Sequence, residues 1–279
     1  KKLLSERTNE GTIPFHPYGK WYGAHWVLAT LADIGYPAGD ESLMPLAEQV
    51  LYCWLSNEHT GRIPIMQTRA RRCASQESNA LYSLLTLGLG DERVDRLAAN
   101  LIKWQWPDGG WNCDKKPEAI NSSFHETVIG VRALALHGQL RDNKVSSKAA
   151  QRAAEIFLKR KLFRKQCDNT VINARFLKLH YPCYWHYDIL FGLKVIAEAN
   201  LITDKRCHEA LDFLESKSLS DGGFPAEEKY YHFTDKRMKS GKRLSGRSLV
   251  DWGGVSKRKM NEWVTVDALY VLTKADRIL

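Results

Sequence analysis

The stretch Gln105-Trp106-Pro107-Asp108-Gly109-Gly110-Trp111 decides the predicted fold, because its pattern recurs elsewhere in the chain. Each copy places a polar residue, three spacers, a glycine, one further residue and a large apolar side chain after an amphipathic segment, and the other copies are Asn57–Ile63 and Ser218–Phe224. The glycine permits the positive φ of a tight turn, and the large side chain can pack under the next helix. The sequence therefore predicts a repeated helical unit joined by these turns.

Two kinds of helix alternate around the turns. The first kind is rich in small and apolar residues, which predicts burial on most sides; its members are Tyr22–Ile34, Ser75–Leu87, Ser123–Leu136, His186–Ala199 and Asn261–Ala275. The second kind is amphipathic; its members are Glu41–Leu55, Asp91–Trp104, Ser147–Leu162 and Asp204–Ser216. We therefore expect one all-α domain over residues 1–279, an α/α toroid in which about five to six helical hairpins close into a ring with inner and outer layers.

Composition excludes several classes of protein. The 279 residues carry 41 Lys+Arg against 32 Asp+Glu, a net charge of +9, and 44% hydrophobic residues are enough for a folded core. The basic runs are typical of solvated faces, so we expect no nucleic-acid partner. Six cysteines without a CxxC pair argue against a disulfide framework and a zinc ribbon. No apolar run is long enough to span a membrane, and the expected location is the cytoplasm.

The basic segment Lys236–Arg247 has neither helical nor strand periodicity. It contains serines and glycines at Ser240, Gly241, Ser245 and Gly246. We expect a mobile insertion before the last inner helix, either a lid over the cavity or a solvated loop.

The turn Gln105-x3-Gly109-x-Trp111 resembles the QW repeat of the squalene cyclase and protein prenyltransferase β-subunit superfamily. The segments Asp108–Asp114 (DGGWNCD) and Ser122–Glu126 (SSFHE) resemble segments of bacterial single-domain squalene-cyclase-like proteins of unknown activity. The resemblance implies an α/α toroid and chemistry on an apolar or isoprenoid-like molecule. The chain contains no DxDD, DDxxD or DxC motif, so it lacks the protonating and zinc-binding motifs of that superfamily.

In a closed ring, the N-terminal ends of the inner helices and the loops before them face a central cavity. These positions combine aromatic rings with a few polar groups, as a small-molecule pocket requires. The residues that we expect to bind substrate there are Trp21, Tyr22, His25, Trp26, Arg72, Gln76, Trp111, Tyr184, Trp185, Tyr187, Trp252 and Trp263. The candidate catalytic residues are His125, Glu126, Asp114, His186, Cys113, Asp188 and Glu77.

Several of these residues have a second interpretation. Ser123-x-x-Glu126 fits a helix capping box as well as a catalytic carboxylate. His125 suits general acid–base catalysis, and His186 is expected to join it from the neighbouring inner helix. A local pair of His186 and Asp188 is disfavoured by their two-residue spacing.

Cys113 could act as a nucleophile beside His125. Cys73, Cys113, His125 and His186 could also meet as a zinc site, although the paired short-range ligands typical of zinc motifs are missing, and we assign no metal ligand.

The leading functional hypothesis is an enzyme that acts on an apolar or isoprenoid-like small molecule by acid–base chemistry. Arg69, Arg71 and Arg72 could bind a diphosphate or carboxylate on that molecule. The first alternative is a carbohydrate-active enzyme with paired carboxylates, and the second is a toroid that binds a small molecule or peptide without turnover. The sequence identifies neither a cofactor nor an oligomeric state.

Overall fold

The computed structural model describes residues 1–236 and 245–277. Within them the α-helices are α1 Ala24–Asp33, α2 Met44–Leu55, α3 Asn57–Gly61, α4 Ser75–Thr86, α5 Arg93–Lys103, α6 Phe124–Leu140, α7 Lys144–Leu158, α8 Ile189–Glu198, α9 His208–Glu215 and α10 Glu262–Lys274. Short 3-10 turns occupy Lys2–Leu4, Glu41–Leu43, Ala174–Leu177 and Lys205–Cys207. The strands are β1 Ile65–Met66, β2 Arg69–Ala70, β3 His232–Phe233 and β4 Arg247–Ser248, with β1 antiparallel to β2 and β3 parallel to β4. The predicted all-α class is confirmed.

The helices form the two predicted layers. The inner helices α1, α4, α6, α8 and α10 pack each on the next in chain order, and the outer helices α2, α5, α7 and α9 flank them. Inner helix α6 is buried along most of its length, whereas outer helix α5 buries only its Val94, Leu97, Ala98 and Leu101 face. The apolar composition of the first kind of helix and the amphipathic pattern of the second therefore correspond to their positions.

The side chain of Gln105 holds the turn between Gln105 and Trp111 in place. Its Nε2 donates to the carbonyl of Gly109 at 2.7 Å and to that of Ala149 in α7 at 2.9 Å, so the turn is tied to the following outer helix. Gly109 has φ 109°, and a Cβ there would lie 2.5 Å from the carbonyl oxygen of Arg152. The indole of Trp111 is fully buried and donates to the carbonyl of Leu101 at 2.9 Å.

An ion network brings the inner helices together at the axis of the ring. Lys194 of α8 lies between Asp33 of α1 and Asp267 of α10. Arg132 of α6 pairs with Asp33 at 2.9 Å, and its guanidinium packs 3.9 Å from the ring centroid of Tyr82 in α4.

The backbones of the segments before α1 and α10 also meet. Trp21 donates its N–H to the carbonyl of Arg247 at 3.0 Å, and the N–H of Arg247 donates to that of Lys20 at 3.1 Å. These contacts close the ring.

Residues 237–244 of the predicted basic insertion, with Ser240 and Gly241, lie outside the described residues. At its end, Arg247 is a buried residue of β4 whose Nη2 lies 3.1 Å from Oε1 of Glu6. That contact makes the end of the segment part of the core rather than of a loop. No helix among the described residues is long and apolar enough to cross a membrane.

Candidate functional site

A cleft of about 1040 Å³ opens between the loop before α1, the α2–α3 region and the loops before α4 and α6. Its walls combine aromatic and apolar side chains with basic groups and three thiols. The lining residues are His16, Pro17, Tyr18, Gln49, Tyr52, Cys53, Trp54, Ser56, Asn57, Glu58, His59, Arg62, Ile63, Pro64, Arg71, Arg72, Cys73, Gln76, Cys113 and Lys115. Of the predicted site residues, Arg72, Gln76 and Cys113 therefore line this cleft.

Two of the three cleft thiols, those of Cys73 and Cys113, lie close to a buried carboxylate. The Sγ atoms of Cys73 and Cys113 and a carboxylate oxygen of Glu126 all lie within 4.8 Å of one another, and Cys113 Sγ is 3.6 Å from Glu126 Oε1. The loops before α4 and α6 are held side by side by a parallel bridge between Arg71 and Asn112, which precede the two cysteines. We call Cys73, Cys113 and Glu126 the thiol–carboxylate cluster.

Glu126 is 1% exposed, and its interactions differ from the predicted capping box. Ser123 is the N-cap residue of α6 but makes no side-chain cap hydrogen bond. The carboxylate instead accepts from the backbone N–H of Ser75 at 2.8 Å and from Nε1 of Trp185 at 2.7 Å. The capping-box prediction is wrong, because Glu126 bridges the starts of α4 and α8 rather than closing its own helix.

Burial raises the pKa of Glu126, although the N–H groups of Ser75 and Trp185 partly oppose the shift. The hydrogen bond from Cys113 lowers the pKa of Cys73, and the same contact together with burial raises the pKa of Cys113. The cluster therefore contains a carboxyl group that retains its proton more readily than an exposed one, next to a thiol that also favours its protonated form. Such an arrangement can store and transfer a proton.

Glu77 and Arg72 form a separate, buried ion pair. Arg72 Nε lies 3.0 Å and 2.9 Å from the two oxygens of Glu77, which is fully buried, and His59 Nε2 lies 2.9 Å from Oε1. This network ties α3 to the start of α4. The contacts of the predicted residues Glu77 and Arg72 are those of a structural pair that supports one wall of the cleft.

Arg71 lacks an acidic partner among the described residues. It is 3% exposed, its Nη1 donates to the carbonyl of Ala119 at 2.6 Å, and its guanidinium lies 4.8 Å from the ring centroid of Trp106. Within residues 1–236 and 245–277, its Nε and Nη2 have no hydrogen-bond partner. A buried cation with unused donors in the wall of a cleft is unusual.

His125 and His186 contact the same indole without contacting the cluster directly. The ring of His125 stacks on Trp185 at 4.7 Å between centroids, and His186 meets the edge of Trp185 at 5.6 Å and stacks on Tyr230 at 3.7 Å. Burial lowers the pKa of His125 to about 4 and that of His186 to about 3, so both imidazoles are neutral near pH 7. Trp185 connects this pair to Glu126.

The other predicted carboxylates have local partners. Asp188 is the N-cap of α8, with Oδ1 accepting from the N–H of Phe191 at 2.8 Å, and its Oδ2 lies 2.8 Å from His180 Nδ1. Asp114 is exposed and accepts from the backbone N–H of Lys116 at 3.0 Å. Neither carboxylate belongs to the thiol–carboxylate cluster.

Most of the predicted aromatic residues pack on one another instead of lining the cleft. Trp21 stacks on Tyr184 with 4.4 Å between ring centroids, Trp21 meets Trp26 edge-on, and Trp252 and Trp263 pack together at 5.0 Å. The void beside Tyr184 near the axis holds only about 30 Å³. The remaining members of the set are also in ring contacts or in the core: Tyr22, His25, Tyr187 and Trp111.

Among the described residues, two groups have donor atoms close enough to share a metal ion, namely the thiol–carboxylate cluster and the buried set His180, Cys183 and Asp188. Thiolate, imidazole and carboxylate together are ligands that Zn²⁺ accepts. In the cluster, however, both oxygens of Glu126 already accept N–H groups, and in the second set His180 and Asp188 are bonded to each other. We assign neither group as a metal centre, and His125 and His186 belong to neither.

Sequence reasoning selected Cys113, Glu126 and Trp185 as site residues. It named Cys73 only as a possible zinc ligand and Arg71 only as a possible anion-binding residue, and it gave Ser75 no functional role. The run Arg71-Arg72-Cys73 directly before an inner helix was the available signal, since a cysteine stands at the corresponding approach to α6. Its pairing with Cys113 depends on loops 40 residues apart in the chain and has no signature in local spacing.

No protein-family model matches this chain, and no curated protein matches it. Among solved structures, a variant of the type II terpene cyclase MstE from Scytonema without ligand has 15% identity and a TM-score of 0.29, covering 99% of this chain and 95% of that chain. A second MstE variant, in complex with its substrate geranylgeranyl dihydroxybenzoate, has 15% identity and a TM-score of 0.27, covering 100% and 95%. Likenesses this weak carry no argument about substrate or reaction, and the resemblance to the QW-repeat superfamily stays a prediction.

Proposed function

We propose that the protein is an enzyme that binds a small molecule with an apolar body in the cleft and transfers a proton to or from it at the thiol–carboxylate cluster. The observation that carries the proposal is the 3.6 Å contact between Cys113, a residue of the cleft wall, and the buried carboxyl of Glu126. Cys113 donates its S–H toward Glu126, so a proton reaches a bound ligand by a relay in which the thiol gives its own proton to the ligand and takes the proton of Glu126 in its place.

The orientation of the carboxyl supports a catalytic role. Glu126 is fixed from two other elements, by the N–H of Ser75 at the start of α4 and by the indole of Trp185 before α8. A group that is held on both sides keeps its geometry when the charge on it changes, as proton-transfer catalysis requires. Burial that favours the protonated form fits a general acid.

The walls of the cleft support an apolar substrate body. Pro17, Tyr18, Trp54, Ile63 and Pro64 line it, and its volume of about 1040 Å³ is large enough for a molecule of isoprenoid size. Aromatic faces in such a site also stabilise developing positive charge.

The carbohydrate hypothesis has weaker support. Glycoside hydrolysis needs two carboxyl groups on either side of the bond that is cleaved. Among the described residues, Glu77 is bonded to Arg72 and Asp188 to His180, so neither is available to pair with Glu126.

The proposal is tested by solvent isotope transfer. The purified protein is incubated in heavy water with a panel of isoprenoid carboxylates and phosphates, and deuterium in the small molecules is measured by mass spectrometry. We expect deuterium uptake with the wild type and at least about 10²-fold slower uptake with Glu126→Gln. The matched control is Glu118→Gln, which neutralises an exposed carboxylate. A folded Glu126→Gln variant with the wild-type rate would contradict the proposal.

A further inference from the structure

We infer that Arg71, with Lys115, binds the phosphate group of a ligand in the cleft. The inference names the substrate class of the cleft and in that sense rests on the proposed function. The site itself is defined by its own contacts and is tested by binding alone.

The free edge of the Arg71 guanidinium has the geometry of an oxyanion receptor. Nη1 is held by the carbonyl of Ala119, and the ring of Trp106 covers one face at 4.8 Å, so the plane of the group is fixed. Nε and Nη2, which share the remaining edge, are shielded from water and have no partner within the described residues, so a ligand in the cleft reaches them when the side chains that cover them shift. This edge is the fork that binds two oxygens of a phosphate or carboxylate side by side.

Because Arg71 is buried, the unpaired Nε and Nη2 edge of its guanidinium indicates a missing anionic partner. Arg71 is 3% exposed, and a cation removed from water without an anion is strongly disfavoured. Arg72, its neighbour in sequence, is neutralised by Glu77 under similar burial. Since Arg71 lines the cleft, a ligand in the cleft is the available source of the missing anion.

The charges on the cleft wall favour a doubly charged group. Arg62 is paired with Glu58 at 2.8 Å and Arg72 with Glu77, so those two cations are balanced. Arg71 and the exposed Lys115 have no ion-pair partner in the part of the chain that the structure describes. Two unbalanced cations match a phosphate, which carries about −1.5 to −2 near pH 7, better than a single carboxylate.

Binding of inorganic phosphate, pyrophosphate and acetate is measured by isothermal titration calorimetry, without any substrate. We expect saturable binding of phosphate and pyrophosphate and weaker binding of acetate. Arg71→Gln should weaken phosphate binding by about 10- to 100-fold, and Lys115→Gln by a few-fold. Arg96→Gln is the matched control. Arg96 is an exposed arginine of α5, so this substitution removes the same charge at a position away from the cleft.

Phosphate binding by the wild type requires no proton transfer, so this measurement is independent of the deuterium-uptake test of the proposed function. Folding of Arg71→Gln is checked by circular dichroism, and Arg71→Lys, which keeps the charge but loses the fork, should also bind weakly. The inference is overturned if the folded wild type shows no saturable phosphate binding at millimolar concentration, if Arg71→Gln binds as the wild type does, or if acetate binds as tightly as phosphate.

Discussion

Lys194 Nζ lies 2.7 Å from Oδ1 of Asp267, joining α8 to α10 at the axis of the ring. The same ammonium lies 3.0 Å from Oδ1 of Asp33 at the end of α1, so one side chain connects the last inner helix to the first. All three side chains are largely withdrawn from water. The closure of the ring therefore depends on one ammonium and two carboxylates whose opposite charges stabilise one another where little water reaches them.

Replacing the cation should destabilise the fold. We expect Lys194→Met to lower the free energy of unfolding by about 3–5 kcal/mol, because Asp33 and Asp267 are then left close together without their shared partner. Urea unfolding followed by circular dichroism measures the change. Lys148→Met, on the exposed face of α7, is the control and should stay within about 0.5 kcal/mol of the wild type. A loss below about 1 kcal/mol for Lys194→Met would show that closure does not depend on this cation.

The ionisation of Asp267 should appear in the pH dependence of stability. Burial raises its pKa to about 6 from an ordinary value near 3.8, with Asp33 adding to the shift and Lys194 opposing it. The folded protein therefore binds this proton more tightly than the unfolded chain does. The contribution is present below about pH 4 and is lost as the pH rises through about 6.

We expect the stability of the wild type relative to Asp267→Asn to fall between about pH 4 and pH 6, as measured by urea unfolding across that range. Asp235→Asn, at an exposed position, should show no such trend. A relative stability that rises over the same range would mean that the pairing with Lys194 dominates the carboxylate.

The two buried glutamates should respond differently to the same substitution. Glu77→Gln leaves Arg72 without its carboxylate, and we expect a loss of about 3–5 kcal/mol. Glu126→Gln keeps one acceptor oxygen for Ser75 or Trp185 but turns its amide NH₂ toward the other donor, and we expect a smaller loss of about 1–3 kcal/mol. Chemical denaturation of both variants makes the comparison. Equal losses would place Glu126 among the structural carboxylates.

The sequence was sufficient to predict the elements of the fold but only part of the site. Helix positions follow from local patterns of apolar residues and glycine, which is why the predicted Asn261–Ala275 agrees closely with α10. Partners distant in sequence have no such local pattern. Glu126 bonds to Ser75, 51 residues earlier, and a local capping motif gave the wrong partner for it. Likewise, the spacing argument against a His186–Asp188 pair gave no indication that Asp188 pairs with His180.

His125 should act by positioning Trp185. Its neutral ring stacks on the indole that donates to Glu126. We expect His125→Ala to lower stability by about 1–2 kcal/mol and proton transfer by about 10-fold, whereas His125→Phe keeps the stacking and restores the rate. Deuterium uptake by the two variants measures the difference. If His125→Phe is as slow as His125→Ala, the imidazole itself transfers the proton and the positioning role is wrong.

The buried carboxyl of Glu126 should hold a transferable proton, and infrared spectroscopy can detect that proton without a substrate. Wild type and Glu126→Gln are compared at pH values above 4.5, the ordinary pKa of a glutamate, in light and heavy water. We expect the wild type to show a carbonyl band of a protonated carboxylic acid that is absent from the variant. The band should shift in heavy water, because the proton exchanges through Cys113 and the cleft. A wild-type spectrum in which Glu126 is already ionised just above pH 4.5 would show that this carboxyl holds no proton for transfer.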